Sequence, residues 1–144
     1  MAGNITSANA SAIMVVDTLF PVGFALEAFS TDQSISMGED TVTETRMGVD
    51  GKMAAGFVPS IKNMTISFEP FSPSVKYLEQ LYQAMQANQK TYEVTLVATV
   101  PSVGKTYTFT GGVVKTAKLF TDHKKVLDPV SCSFDFEQMS ISSI

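Results

Sequence analysis

The chain has 144 residues, 44% of them hydrophobic and only 17% charged, with a formal net charge of −4 and a sequence pI near 4.8. That length suits one domain with one core, and a charged fraction below the roughly 25% of an average soluble domain leaves apolar surface for contacts between subunits. The acidic balance excludes a protein that grips nucleic acid by neutralising phosphates, which needs a clustered excess of Lys and Arg; passive tolerance of DNA is compatible with it.

Residues 1–11, rich in Ser, Ala and Asn, read as a flexible arm that orders only against a neighbour. The opening "MAGNITSANASA" has no basic stretch and no apolar centre, so it does not read as a secretory signal. Two β-prone runs follow, 12–20 and 22–29, with Pro21 and Gly23 between them as a bend or bulge. Asp17, Pro21 and Gly23 also interrupt the greasiest run well short of the about 20 apolar residues a membrane-spanning helix needs. A soluble protein without membrane insertion is expected.

Segment 30–47 is polar. From Thr41 to Arg46 it alternates Thr with Val, Glu and Arg, which favours a strand but leaves almost nothing apolar on either face. Such a strand makes sense against water on both sides or against another subunit. Asp50-Gly51 then signals a tight turn.

From Asn63 to Glu69, Met64, Ile66 and Phe68 share one face and the polar residues the other, the pattern of a half-buried strand. Ser72 is a good N-cap with Pro73 at the first helical position, and Val75, Leu78, Leu81, Tyr82 and Met85 form one stripe, so a helix is expected over 73–88. Next comes a hairpin: Tyr92, Val94, Leu96 and Val100 share a face, "PSVGK" makes the loop, and Tyr107, Phe109 and Val113 share the returning face.

In the last strand, 129–141, Val130, Cys132, Phe134 and Phe136 hold the even positions, and after Glu137 the apolar parity passes to Met139 and Ile141. Such a slip means a bulge, or a tail that leaves its sheet to use its other face elsewhere. Cys132 is the only cysteine; no intrachain disulfide can form, the alternation around it predicts a buried thiol, and the compartment leans to the cytoplasm. The expected fold is mainly β, an antiparallel β-sandwich or barrel of about eight strands with one flanking α-helix, in a single domain spanning 1–144 with no internal repeat.

Chemistry is sparse. His123, the only histidine, lies in the polar "TDHKK"; neighbouring residues on an extended chain point apart, no GxSxG elbow is present, and an exposed loop histidine is the plain reading. One Cys and one His cannot build a zinc site, and Glu39, Asp40 and Glu44 lack the pattern of a calcium loop. "GGVVKT" at 111–116 fails the phosphate-loop spacing, so Gly111 and Gly112 mark a bulge or a close backbone approach. No metal or cofactor is expected. Charge is uneven: Glu27, Asp32, Glu39, Asp40, Glu44 and Asp50 face Arg46 alone, whereas Lys105, Lys115, Lys118, Lys124 and Lys125 face Asp122 alone. Two such regions suit head-to-tail stacking or are two unrelated solvated surfaces.

The words "ETRMGVDGKMAAGFVP", "ISFEPFSPSVKYLEQLYQA" and "VPSVGKTYTFTGGVVKTAKLFTDHKKVLDPVSCSFDFE", in this order, resemble the tail tube proteins of contractile-tailed bacteriophages over residues 20–140. The resemblance implies a non-enzymatic virion protein, assembled in the host cytoplasm. Its hexameric rings stack into a hollow tube inside a contractile sheath, and the inner sheets of the subunits join into a barrel through which double-stranded DNA is ejected. The partners it implies are further copies of the chain, the sheath protein, the baseplate and a tape measure protein.

On that reading the polar strand pairs with the next subunit and faces a water-filled lumen. Asp32, Glu39, Asp40 and Glu44 become candidate lumen-facing acids that repel passing phosphates. Segment 30–57 becomes a hairpin and loop for assembly in which Arg46, Met47, Asp50, Gly51, Lys52 and Phe57 contact a neighbour. Met139 and Ile141 would do so from a C-terminal arm, 138–144. Two alternatives stand beside it: the tube of a tailocin or secretion-system machine, and a β-sandwich binding module for carbohydrate or lipid, which the lack of Trp and the placement of Phe and Tyr on apolar faces disfavour.

Overall fold

Apolar residues at a period of two build most of this chain into strands. The computed structural model describes residues 11–26, 35–120 and 125–143, and these hold ten strands and one helix. In chain order they are β1 (Ser11–Val16), β2 (Phe20–Ala25), β3 (Ile35–Met37), β4 (Thr43–Met47), β5 (Met53–Phe57), β6 (Lys62–Phe68), α1 (Pro73–Asn88), β7 (Val94–Val100), β8 (Lys105–Lys118), β9 (Val130–Phe136) and β10 (Gln138–Ser143). The count exceeds the expected eight partly because the last apolar run divides at Glu137 into two strands.

The mainly β, antiparallel fold with one helix is as the alternation predicted. Eight strands form two layers that share β8. One runs β2-β1-β7-β8-β10, the other β8-β9-β6-β3, and β4 and β5 pair only with each other. The first reversal falls at Asp17–Leu19, where Thr18 takes a φ of +64°, so Pro21 and Gly23 lie inside β2 instead of between two strands. Gly23, at φ +88°, sits where the β1–β2 register shifts, and a Cβ on it would come within 3.0 Å of Val15.

Met14, Val16, Leu96 and Phe109 from the first layer and Met64, Ile66, Phe134 and Phe136 from the second form one buried cluster. Phe109 and Phe136 meet across the layers at 5.3 Å between ring centroids. Burying a side chain of this kind contributes roughly 1.5–3 kcal/mol, so these rings carry much of the attraction between layers.

Two strands cross from one layer to the other at the same place. β8 pairs with β7 and β10 over its first half and with β9 beyond Gly112, while the returning chain leaves β9 at Phe136 and enters β10 at Gln138. The core-facing positions change parity there in both strands, from Phe109 to Gly112 in one and from Phe136 to Met139 in the other. The parity slip after Glu137 is therefore a sheet crossing, and it moves Val113 to the face opposite Tyr107 and Phe109, against the sequence expectation. Residues 138–143 are a strand of the same chain's sheet, in register with β8 from Gln138 opposite Thr110 to Ser143 opposite Lys105, and not a free arm.

The two glycines permit the crossing. Gly111 has φ +65°, and a Cβ on it would lie 2.7 Å from a Glu137 carboxylate oxygen; a Cβ on Gly112 would overlap the Phe136 ring and approach the Val94 carbonyl to 2.9 Å.

The helix begins as predicted. The Ser72 hydroxyl accepts from the Ser74 N–H at 3.2 Å, Pro73 takes the first turn, and Gln89, at φ 49°, supplies the left-handed C-cap. Val75, Leu78 and Leu81 are buried, whereas Tyr82 from the same expected stripe stays 45% exposed. Tyr77 ties the helix to β2 by stacking on Phe24 at 4.4 Å and meeting Phe20 edge-on at 5.2 Å.

Gly112→Ala should cost about 2–3 kcal/mol in denaturant unfolding, the range of an overpacked site that cannot relax. Gly56→Ala, where nothing lies within 4 Å of the added carbon, should change stability by less than about 0.5 kcal/mol. Burial pushes the Cys132 thiol from 9.0 up to about 12, so the folded state holds that proton more tightly than the unfolded chain. The stability it confers is complete below the unfolded value and is lost as pH rises from 9.0 through about 12. Native protein should resist thiol alkylation at pH 8 and react once unfolded, and Cys132→Ala should lack the thiol's share of the alkaline loss.

Candidate functional site

The β4–β5 ribbon stands apart from the sandwich. All of its strand residues are exposed and it pairs with nothing but itself among the described residues. Its turn is fixed by local chemistry: Gly51 sits at φ +80°, the Asp50 carboxylate accepts from the Lys52 N–H at 3.1 Å, and the Gly48 N–H donates to the Lys52 carbonyl at 2.8 Å.

Cross-strand partners share a face. Thr43 opposite Phe57, Thr45 opposite Ala55 and Met47 opposite Met53 make one face; Glu44 opposite Gly56 and Arg46 opposite Ala54 make the other. The strand that reads as polar on both faces is therefore half of an amphipathic ribbon, because Met53, Ala55 and Phe57 arrive from its partner. Phe57 is 80%, Met47 68% and Met53 65% exposed. An isolated two-stranded ribbon is marginal in water, and an uncovered apolar face of this kind marks a contact surface.

The structure thus brings Arg46, Met47, Asp50, Gly51, Lys52 and Phe57 together on this ribbon. Met139 and Ile141 lie elsewhere, on β10: Met139 packs against the core opposite Phe109, and Ile141, opposite Tyr107, is 55% exposed. Of the candidate acids, Asp32 lies outside the described residues, and Glu39 and Glu44 are exposed. Asp40 is engaged: its carboxylate accepts from the Ser60 hydroxyl and lies 3.5 Å from the Lys62 ammonium. The ribbon balances Glu44 and Asp50 with Arg46 and Lys52, so the acidic excess of the sequence is not concentrated on it. An open concavity of about 460 Å³ beside Glu44, Arg46 and Phe57 has no histidine or cysteine in its lining.

A second surface escaped the sequence reading. Away from the core, the layer β2-β1-β7-β8-β10 presents Ile13 and Val15, then Thr95, Val97 and Thr99, then Thr106 and Thr108, then Ser140 and Ser142. No charged residue lies among them. β2 and β10 bound this layer, and each pairs on one side only among the described residues. The signal was present in Thr95 and Thr99 and in the alternating Thr106, Thr108 and Thr110, but their meaning depends on which strands are neighbours.

Among the described residues no group of three or more His, Cys, Asp or Glu side chains could hold a metal ion, and no helix is long and apolar enough to cross a membrane. His123 lies outside those residues.

No curated protein sequence matches the chain, but solved structures do. A protein of the anti-feeding prophage baseplate superposes with a TM-score of 0.65 at 12% identity, covering 99% of this chain and 98% of that one. One from the sheath/tube terminator of an extracellular contractile injection system gives 0.58 at 13% identity, covering 99% of each chain. One from the sheath-tube complex of such a system gives 0.55 at 14% identity, covering 92% of this chain and 88% of that one. At these identities the likeness is one of fold, and the fold is that of proteins in contractile injection machines. Residues 3–140 match the family model described as tail fiber protein gp32, and the chain accordingly belongs to this family of phage tail-type proteins.

Proposed function

We propose that the chain is a structural subunit of a tail tube, whose copies close into rings and stack into a channel inside a contractile sheath. The observation that carries this reading is the layer β2-β1-β7-β8-β10, which has a buried face, an uncharged hydroxyl-rich face and, among the described residues, an unpaired edge on each side.

Unpaired edges are a liability in a monomer and are removed when the sheet closes on itself. β10, "QMSISS", carries neither charge nor proline to blunt it. Successive strands of the layer are antiparallel, so β2 and β10 run in the same direction. A head-to-tail repeat brings them together as a parallel pair, and such a contact generates a ring where the rotation closes. The baseplate of the similar prophage protein is six-fold symmetrised, which supports six copies here.

The hydroxyl-rich face then lines the channel. With no cation among these residues to hold a phosphate, it lets double-stranded DNA slide without binding, and its apolar members are Ile13, Val15 and Val97 at the β1–β7 side. The ribbon's apolar face of Met47, Met53 and Phe57 is covered by a neighbouring copy. The sheath, baseplate and tape measure protein are the remaining partners; the first is supported by the sheath-tube complex in which a similar protein is found. The role is non-enzymatic.

A second reading is favoured by the higher scores against baseplate and terminator proteins, 0.65 and 0.58 against 0.55 for the sheath-tube complex: a ring at one end of the tube. Negative-stain microscopy with light scattering over a concentration series separates the two. Stacked tubes whose length grows with concentration support the tube, single rings support the terminal ring, and a monomer at every concentration, even beside preformed tube ends, contradicts both. Phe57→Ser combined with Met47→Ser should leave monomer stability within about 0.5 kcal/mol, since both side chains are exposed, while raising the assembly threshold severalfold. Thr106→Lys with Thr108→Lys should leave assembly intact and slow DNA ejection; unchanged ejection would remove this face from the channel.

A further inference from the structure

The β3–β6 and β4–β5 pairs lie along one chain reversal, yet they are not one continuous ladder. Ile35 to Met37 pair with Ile66 to Met64, and extending that register would set Thr43 opposite Val58; Thr43 pairs with Phe57 instead. A one-residue slip of this kind is a bulge that bends the ribbon where it leaves the sandwich. Between the two ladders the backbone contributes only the Gly38 N–H to the Asn63 carbonyl at 3.4 Å and the Val58 N–H to the Val42 carbonyl at 3.0 Å. Pro59, in this neck, has no N–H to give.

The slip is spanned by side chains. The Asp40 carboxylate, on the incoming leg, accepts from the Ser60 hydroxyl on the outgoing leg, and its other oxygen lies 3.5 Å from Lys62 Nζ. Lys62 Nζ in turn donates to the Ser60 carbonyl at 2.8 Å. The Lys62 and Asp40 side chains are only 16% and 21% exposed, so the pair is shielded where most surface pairs are not. Everything beyond this triangle, from Val42 to Phe57, is exposed.

We propose that Asp40, Ser60 and Lys62 form a clasp that fixes the angle of the β4–β5 ribbon, presenting its Met47, Met53 and Phe57 face in the orientation a second copy of the chain accepts. This rests on the assembly role proposed above. The clasp contributes by preorganisation: a ribbon ordered beforehand does not lose that freedom on binding. Asp40 is on this account a positioning residue and touches no neighbour itself.

The test is a comparison of wild type with Asp40→Ala, Ser60→Ala and Asp40→Asn in full-length protein. Amide hydrogen exchange is followed in 43–57 and in β6 and β9, alongside the concentration at which particles form. Loss of a charge-assisted contact predicts exchange in 43–57 faster by about tenfold in Asp40→Ala, with the same rise in the assembly concentration and no change in β6 and β9. Asp40→Asn, which keeps an acceptor for Ser60 but loses the charge opposite Lys62, should fall between. Unchanged exchange in 43–57 overturns the clasp. Reduced assembly without faster exchange also overturns it, because Asp40 then acts by direct contact. If Asp40→Ala does not fold, Ser60→Ala and Asp40→Asn give the same readouts. Failure of the wild type to assemble would count against the tube reading alone, since the exchange comparison is made on the monomer.

Discussion

The close approach of Phe136 to Gly112, with Glu137 over Gly111, is the constraint on which the rest depends. It lets two paired strands pass together from one layer to the other without losing register, so that one continuous pairing holds both sheets. A side chain at either glycine would push the strands apart at the crossing. Because Phe136 also meets Phe109 across the layers, the same ring closes the core and sets the bend. The position of β10 follows from it: the strand emerges beside β8, with its outer edge unpaired among the described residues.

What the crossing leaves uncovered is as organised as what it buries. The layer that ends in β10 has an apolar side sealed by the second layer and a side of hydroxyls without charge. The ribbon that leaves the second layer has an apolar side with nothing over it within the described residues. A monomer gains nothing from either arrangement, since open edges and exposed methionine and phenylalanine favour association. In the closed ring proposed above, the edges would disappear, the ribbon would be covered and the hydroxyl side would meet water. The charged clasp at the ribbon's root belongs to the same logic, because an exposed two-stranded element is held at its base or not at all.

Much of this was legible in the sequence where a period of two met one buried face. Met64, Ile66 and Phe68 in β6, and Val130 to Phe136 in β9, alternate as they pack. The helix from Pro73 to Asn88 was marked by Ser72, Pro73 and its apolar stripe. The parity slip after Glu137 and the glycine pair at 111 and 112 were each visible, but not that they are one event, because that requires knowing β8 and β10 are partners. The ribbon's apolar face was not legible for the same reason: the chemistry of a strand's face depends on its partner, and Thr43 to Arg46 look polar until Phe57 and Ala55 are placed beside them. Asp40 reads as one acid in an acidic run until the fold brings Ser60 and Lys62 to it.

The most direct test of the account is a cryo-electron microscopy reconstruction of the assembled particle. The account predicts β10 of one copy beside β2 of the next, Thr106 and Thr108 pointing at the channel axis, and the Met47, Met53 and Phe57 face buried against a neighbour. A particle whose channel is lined by the β9-β6-β3 layer, or whose β2 and β10 edges remain apart, would contradict it.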